Sequence, residues 1–445
     1  MAEKRESKLS VSDVVDLLKD GKNVLFVGAG GCGKSFALRE VASLLLADEK
    51  KIAITATTGI ASLNLSVSGC IATTFHRFAG IETGQGDPQE LYALAQKKNS
   101  MKKWRGTEIL IIDEISMFGA ELFTKVEYVA RTMRGNDRPF GGMTILASGD
   151  FLQLSPVKDR WIFECEVWEA MDFVPVVFTT PVRFTDKSYY DTLMRIRCVS
   201  PTEEDIQLLN ARVSAYDQLM KDNNGDWSKI RPTVLYSKKI DVSTYNDNEM
   251  SKLEFPKKTF NAIDSFMVFQ NEAKSEKYYS RLMDENVPET VVLKKGAQVV
   301  LKANLNTDEK LANGSRGVII EIGVDFCDVK FVSGKTHRIT NYVWEIKDKD
   351  AKFSRSQIPL RLAYSSTIHS VQGCTLDCVV MDLGPSVFSP GQAYVALSRA
   401  RSIESLYISD LAVKKITASK KALRYNEYLV KNGREINIVV DKVEK

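Results

Sequence analysis

Val24-Leu25-Phe26-Val27 runs directly into Gly28-Ala29-Gly30-Gly31-Cys32-Gly33-Lys34-Ser35, and a helix-forming stretch from Phe36 to Leu46 follows. Few architectures accept that order. A buried strand that ends in a glycine-rich turn and feeds a helix belongs to an α/β domain with a wound parallel sheet. The turn fits the spacing G-x-x-x-x-G-K-S, in which missing Cβ atoms let backbone N–H groups wrap a phosphate. Gly28, Gly30, Gly31 and Gly33 would form the cradle, Lys34 would reach the β- and γ-phosphates, and the Ser35 hydroxyl would ligate Mg²⁺.

At 445 residues the chain exceeds what one core usually organises, so two or more domains are expected. No apolar run approaches the roughly 18 residues a membrane helix needs, and MAEKRESKLS lacks a signal-peptide core. The expectation is a soluble, intracellular protein with no membrane partner. Its seven cysteines are scattered and never spaced C-x-x-C, against a disulfide framework or a zinc or iron–sulfur site. A net charge of +4 does not establish a nucleic-acid partner. The basic patches Lys97-Lys98 with Lys102-Lys103-Trp104-Arg105, and Lys414-Lys415 with Lys420-Lys421 and Arg424, each read alone as a solvated face.

Strand-like apolar runs recur at 24–27, 52–56, 109–112, 144–147 and 175–178, which places a first α/β domain in residues 1–180. A second series at 233–236, 379–381 and 406–408 predicts a second α/β domain in 181–295 and 349–445. Between its halves, residues 296–348 alternate short β-rich runs with Gly/Asn turns, as a small β-barrel insert would. Residues 82–90 and 271–287 read as polar loops.

Ile109-Leu110-Ile111-Ile112 ends in Asp113-Glu114, where Asp113 would hold Mg²⁺ through water and Glu114 would polarise an attacking water as general base. The run Thr144-Ile145-Leu146-Ala147 leads to Ser148-Gly149-Asp150-Phe151-Leu152-Gln153, placing Gln153 to sense a γ-phosphate or to orient water.

Asp113-Glu114-Ile115-Ser116-Met117, Arg138-Pro139-Phe140-Gly141-Gly142 and Gly149-Asp150-Phe151 with Gln153-Leu154 closely resemble the Pif-type (petite integration frequency) DNA helicases of superfamily 1, relatives of RecD. The resemblance covers nearly the whole chain. It implies two RecA-like motor domains with an SH3-like β insert at 296–348, ATP and Mg²⁺ as cofactors, and 5′-to-3′ translocation with unwinding. Single-stranded and tailed or forked DNA would be the substrates and a monomer the basic unit. Thr57-Thr58 and Thr74-Phe75-His76-Arg77-Phe78 match the strand-end motifs that hold single-stranded DNA in the family. Phe75 and Phe78 suit either base stacking or core packing. Arg183 and Arg399, the latter in Gln392-Ala393-Tyr394-Val395-Ala396-Leu397-Ser398-Arg399-Ala400-Arg401, match the family's two arginine fingers. Arg401 reads equally as a surface arginine or a phosphate contact.

Ile368-His369-Ser370-Val371-Gln372-Gly373-Cys374-Thr375 resembles the motif linking nucleotide state to DNA grip, with Gly373 toward the nucleotide and His369 and Thr375 toward DNA. Tyr236 and Asn246 match the second domain's DNA contacts, and residues 64–84 span the region of a strand-separating wedge or pin. Four positions depart from the family pattern. Leu9-Ser10-Val11-Ser12-Asp13 lacks the adenine-reading glutamine, Cys32 replaces a threonine, Phe184 a glutamine and Ser370 a lysine. Base selectivity is thereby left open. An alternative reading is a nucleic-acid-stimulated translocase that remodels protein–DNA complexes or RNA without processive unwinding.

Overall fold

The apolar runs of the first domain become parallel strands: β1 (Val24–Gly28), β2 (Ile52–Ala56), β3 (Thr73–Thr74), β4 (Ile109–Asp113), β5 (Thr144–Gly149) and β6 (Val174–Phe178). The computed structural model describes residues 8–437 other than 58–60, 63–64, 83, 98–99, 157, 185, 223–230, 270–274, 285–286, 304, 306–310, 312–313, 348–350, 373–375 and 377. The sheet runs in the order Arg434–Glu435, β6, β1, β5, β4, β2, β3, with every pairing parallel. β4 is buried along its whole length because helices cover both faces of a parallel sheet, which is why its sequence is a continuous apolar run. Helix Lys34–Ala47 leaves the cradle and buries Ala37, Leu38, Val41 and Leu45 against the sheet.

A second parallel sheet holds Ser365–Thr367, β7 (Thr233–Tyr236), Val379–Leu383 and Leu406–Leu411, in that order. One apolar cluster extends from Phe26 and Val41 through Tyr189 and Leu193 to Val395 and Leu397, so the two sheets share packing through the segment that links them.

The β-rich region is wider than residues 296–348. Antiparallel strands run from Lys258–Asn261 to Leu360–Leu362, with Val299, Ile319, Cys327 and Val329 in the core of a five-stranded sheet. A fully buried Arg355 ties the adjoining three-stranded sheet together through two bonds of 2.7 Å to Asp264. The stretch read as a polar loop at 271–287 carries helix Glu276–Asp284.

The end of the chain returns to the first domain, which corrects the assignment of all of 349–445 to the second. Helix Lys420–Asn432 places Ala422 and Leu429 in the first domain's apolar cluster, and Arg434–Glu435 pairs with β6. Trp168 Nε1 donates to the Tyr425 hydroxyl at 2.7 Å, and the Tyr425 ring stacks on Phe163 with centroids 4.1 Å apart. Among the described residues no helix is long and apolar enough to cross a membrane.

Candidate nucleotide site and nucleic-acid interface

Strand register sets the site. Val27 lies beside Gly149, Gly28 beside Phe178 and Ala56 beside Asp113, so the residues that follow these strands emerge together at one carboxyl edge of the sheet. There a cavity of about 430 Å³ is lined by Gly30, Gly31, Gly33, Lys34, Ser35, Phe36, Asp113, Glu114, Gln153, Val182, Arg183, Arg399 and Arg401. Gly28 stands just outside this lining, at the end of β1.

Gly31 and Gly33 adopt φ values of +86°, a backbone that side chains disfavour. A Cβ at Gly31 would also lie 2.8 Å from Arg183 Cβ. That close approach is fixed by the Gly31 carbonyl, which accepts from Val182 N–H at 2.9 Å and from Arg183 N–H at 3.0 Å. Lys34 Nζ donates to the Gly28 and Ala29 carbonyls at 2.7 and 2.9 Å.

Ser35 Oγ donates to Asp113 at 2.9 Å, bringing two hard oxygen donors together. Magnesium bound with a nucleotide takes one or two protein oxygens and completes its shell with phosphate and water, so these residues fit it. Glu114 follows in a left-handed conformation, φ +56°. Burial, and then the Asp113 charge beside it, push its carboxyl up to about 7, while Lys34 and Arg399 pull the other way. A base near neutrality suits proton abstraction from water.

From the second domain, Arg399 is buried, with Nε donating to Val395 O at 2.8 Å and Nη2 to Ser398 Oγ at 2.6 Å. Arg183 Nη1 reaches the Ser398 carbonyl at 3.2 Å, so the two arginines meet at one turn. Behind them lies a polar cluster to which sequence reading assigns no role. Asp150 pairs with the buried Arg197 at 2.7 Å, and Tyr394 OH donates to Asp150 at 3.2 Å while accepting Gly30 N–H at 2.9 Å. Burial alone would raise the Asp150 carboxyl, but the Arg197 guanidinium overcomes it and holds it low. Arg401 is exposed and lines the cavity mouth. Cys32 is buried, its sulfur 3.4 Å from Tyr190 OH. Where the adenine reader is absent, Ser10 and Asp13 form a capping box on helix Val11–Lys19.

The candidate DNA residues divide. Thr57 donates its N–H to the Asp113 carbonyl at 3.3 Å, which joins the strand-end motif to the acidic pair. Thr74 Oγ1 caps helix Phe75–Ala79 by accepting Arg77 N–H at 3.3 Å, and the half-buried His76 lies 6.3 Å from Phe118, nearly parallel. Burial lowers the basicity of His76. Phe78 is 4% exposed and meets Trp104 edge-on at 4.9 Å, so core packing is its place and its ring is withdrawn from any base. Phe75 is likewise buried, against Phe118.

Tyr236 is half-buried at the end of β7, 5.7 Å from Tyr245, and Asn246 Oδ1 accepts Ser365 N–H at 3.0 Å. His369 stacks on the exposed Phe388 at 6.4 Å. Thr58, Gly373 and Thr375 lie outside the described residues. In the 64–84 region, Val67 and Cys70 exchange backbone bonds of 3.1 and 3.0 Å, and Ile71 beside this turn is 83% exposed.

The chain is similar to known proteins. The family model described as PIF1-like helicase matches residues 4–168, and one described as DNA helicase Pif1, 2B domain, matches 277–322. The ATP-dependent DNA helicase PIF1 of Danio rerio is 35% identical over 429 residues, 94% of this chain; the chain spans 63% of that protein's length. The ATP-dependent DNA helicase Pif1 of Bdellovibrio bacteriovorus is 32% identical, with 93% of this chain and 90% of that protein covered. The crystal structure of Pif1 helicase from Candida albicans superposes with a TM-score of 0.78 at 29% identity, over 95% of this chain and all of that one. With its two parallel sheets, its β-rich region and its shared cleft, the chain belongs to the PIF1-like helicase family.

Proposed function

We propose that this chain is an ATP-dependent DNA helicase that translocates 5′-to-3′ on single-stranded DNA and unwinds duplexes. One observation carries the reading. Lys34, Ser35, Asp113 and Glu114 from the first domain and Arg183 and Arg399 across the cleft line a single cavity. Guanidinium groups aimed across a cleft stabilise charge on a transferring phosphoryl group, so hydrolysis would require the halves to close. Closure and reopening would move DNA held by Thr57 and Thr74 relative to DNA held by Tyr236 and His369.

In this reading Ser35 and Asp113 hold magnesium, which when bound neutralises charge on the phosphates. Glu114 takes the proton of the attacking water, and Lys34 leaves its loop carbonyls for the phosphates. The turn Val67–Cys70 with the exposed Ile71 would part the strands, and a monomer would be the working unit. ATP hydrolysis measured with and without single-stranded DNA, with matched RNA and with GTP in parallel, tests the assignment. Stimulation by DNA is expected. Equal stimulation by RNA would favour the remodelling alternative, and hydrolysis indifferent to nucleic acid would contradict the helicase reading.

A further inference from the structure

Asp150 is 1% exposed and ion-paired with Arg197, so it is an ionised carboxylate that can only accept hydrogen bonds. Every neighbour must therefore donate to it. Leu152 N–H does so at 3.1 Å, Gln153 Nε2 at 3.3 Å and Tyr394 O–H at 3.2 Å. Tyr394 has spent its one proton on Asp150, and its oxygen accepts Gly30 N–H at 2.9 Å. The chain from Gly30 through Tyr394 to Asp150 thus has a fixed direction, and so does the amide of Gln153. With Nε2 held by Asp150, Oε1 is the atom of Gln153 left over; it is buried, has no partner among the described residues, and belongs to a side chain lining the nucleotide cavity.

These groups converge on one point of the cradle. A Cβ at Gly30 would lie 3.4 Å from Arg399 Nη2, 3.5 Å from Gln153 Nε2 and 3.7 Å from the Tyr394 oxygen. Tyr394 sits on helix Gln392–Leu397 and Arg399 just beyond it, so one short segment of the second domain delivers both. The helix start is pressed onto the loop that carries Gln153, because a Cβ at Gly391 would come within 2.4 Å of the Gln153 carbonyl.

We propose that Tyr394 is a positioning residue for hydrolysis. It clamps the cradle backbone at Gly30 to Asp150, and the fixed carboxylate holds the Gln153 amide so that its carbonyl oxygen accepts a hydrogen bond from the attacking water. The proposal rests on reading the cleft as an ATPase site. It also gives Gln153 the water-orienting one of its two candidate tasks.

The test is a double-mutant cycle on the full chain, using DNA-stimulated ATP hydrolysis with ADP affinity measured separately by a fluorescent analogue. Tyr394→Phe keeps the ring and removes only the hydroxyl. It should lower kcat roughly tenfold or more, as small misplacements of positioned groups do, while ADP affinity changes less than about twofold. In a Gln153→Ala background the same change should have little further effect, since the two act as one unit. Wild-type kcat in Tyr394→Phe, a loss confined to nucleotide affinity, or losses that multiply in the double variant would each overturn the role. A wild-type chain that hydrolyses no ATP would instead remove the ATPase reading beneath it.

Discussion

The Ser35 hydroxyl donates to the Asp113 carboxylate across 2.9 Å, linking the first turn of the cradle helix to the end of a strand two places away in the sheet. A pair of hard oxygens at that spacing would serve as a magnesium site once phosphates supply the rest of the shell. Ser35→Ala is therefore expected to raise the Mg²⁺ concentration for half-maximal ATP hydrolysis and to lower kcat on the order of 10²-fold, by loss of preorganised charge stabilisation. A magnesium titration of ATPase rate checks this. An unshifted midpoint would exclude Ser35 as a ligand.

Glu114 is expected to set the pH dependence of hydrolysis. Burial first and the Asp113 charge second raise its carboxyl to about 7, above the ordinary glutamate range. The base form is the deprotonated one, so kcat/KM should climb as pH rises through about 7 and level off above it. Glu114→Gln should remove that limb and lower kcat about 10²- to 10⁴-fold while nucleotide and DNA still bind. A flat wild-type profile from mildly acid to mildly basic pH would contradict the assignment, as would undiminished turnover in the variant.

Phe78 offers a test of core against interface. At 4% exposure and packed edge-on with Trp104, its truncation to alanine should cost about 3–5 kcal/mol of stability. Where the variant remains folded, its affinity for single-stranded DNA should match wild type. Chemical denaturation followed by DNA titration at low temperature separates the two effects. Full stability with weakened DNA binding would restore the stacking role.

The C-terminal helix is predicted to be part of the first domain's fold. Tyr425 stacks on Phe163 at 4.1 Å, meets Phe151 edge-on at 5.1 Å and accepts from Trp168 Nε1 at 2.7 Å. Tyr425→Ala should lower stability by about 2–3 kcal/mol, and Tyr425→Phe, which loses only the hydrogen bond, by about 1 kcal/mol. Urea unfolding followed by tryptophan fluorescence reads both. Equal, negligible losses would show that the helix is not integral to that domain.

What sequence reveals here follows from where the information sits. β1 and β4 are continuous apolar runs because both faces of their sheet are covered, and β1, β4 and β5 end in a glycine, an aspartate and a glycine. Fold class and the inner residues of the cleft are therefore local patterns. Arg434–Glu435 is polar and joins the sheet through backbone pairing with β6, so nothing in its composition announces a strand. The bond between Tyr394 and Asp150 spans 244 positions, and each residue taken alone is an unremarkable member of its motif. Phe78 fits a binding face and a core equally well until Trp104, from a separate helix, is seen to close over it.

Unwinding of duplexes that carry only a 5′ tail or only a 3′ tail, with ATP and Mg²⁺ and with the Glu114→Gln variant alongside, distinguishes a 5′-to-3′ motor driven from this cleft from its alternatives. Strand separation of the 5′-tailed duplex by wild type alone, abolished without ATP, is the expected result. Preference for the 3′ tail would reverse the direction of travel, and unwinding that survives in Glu114→Gln would contradict a motor driven from this cleft.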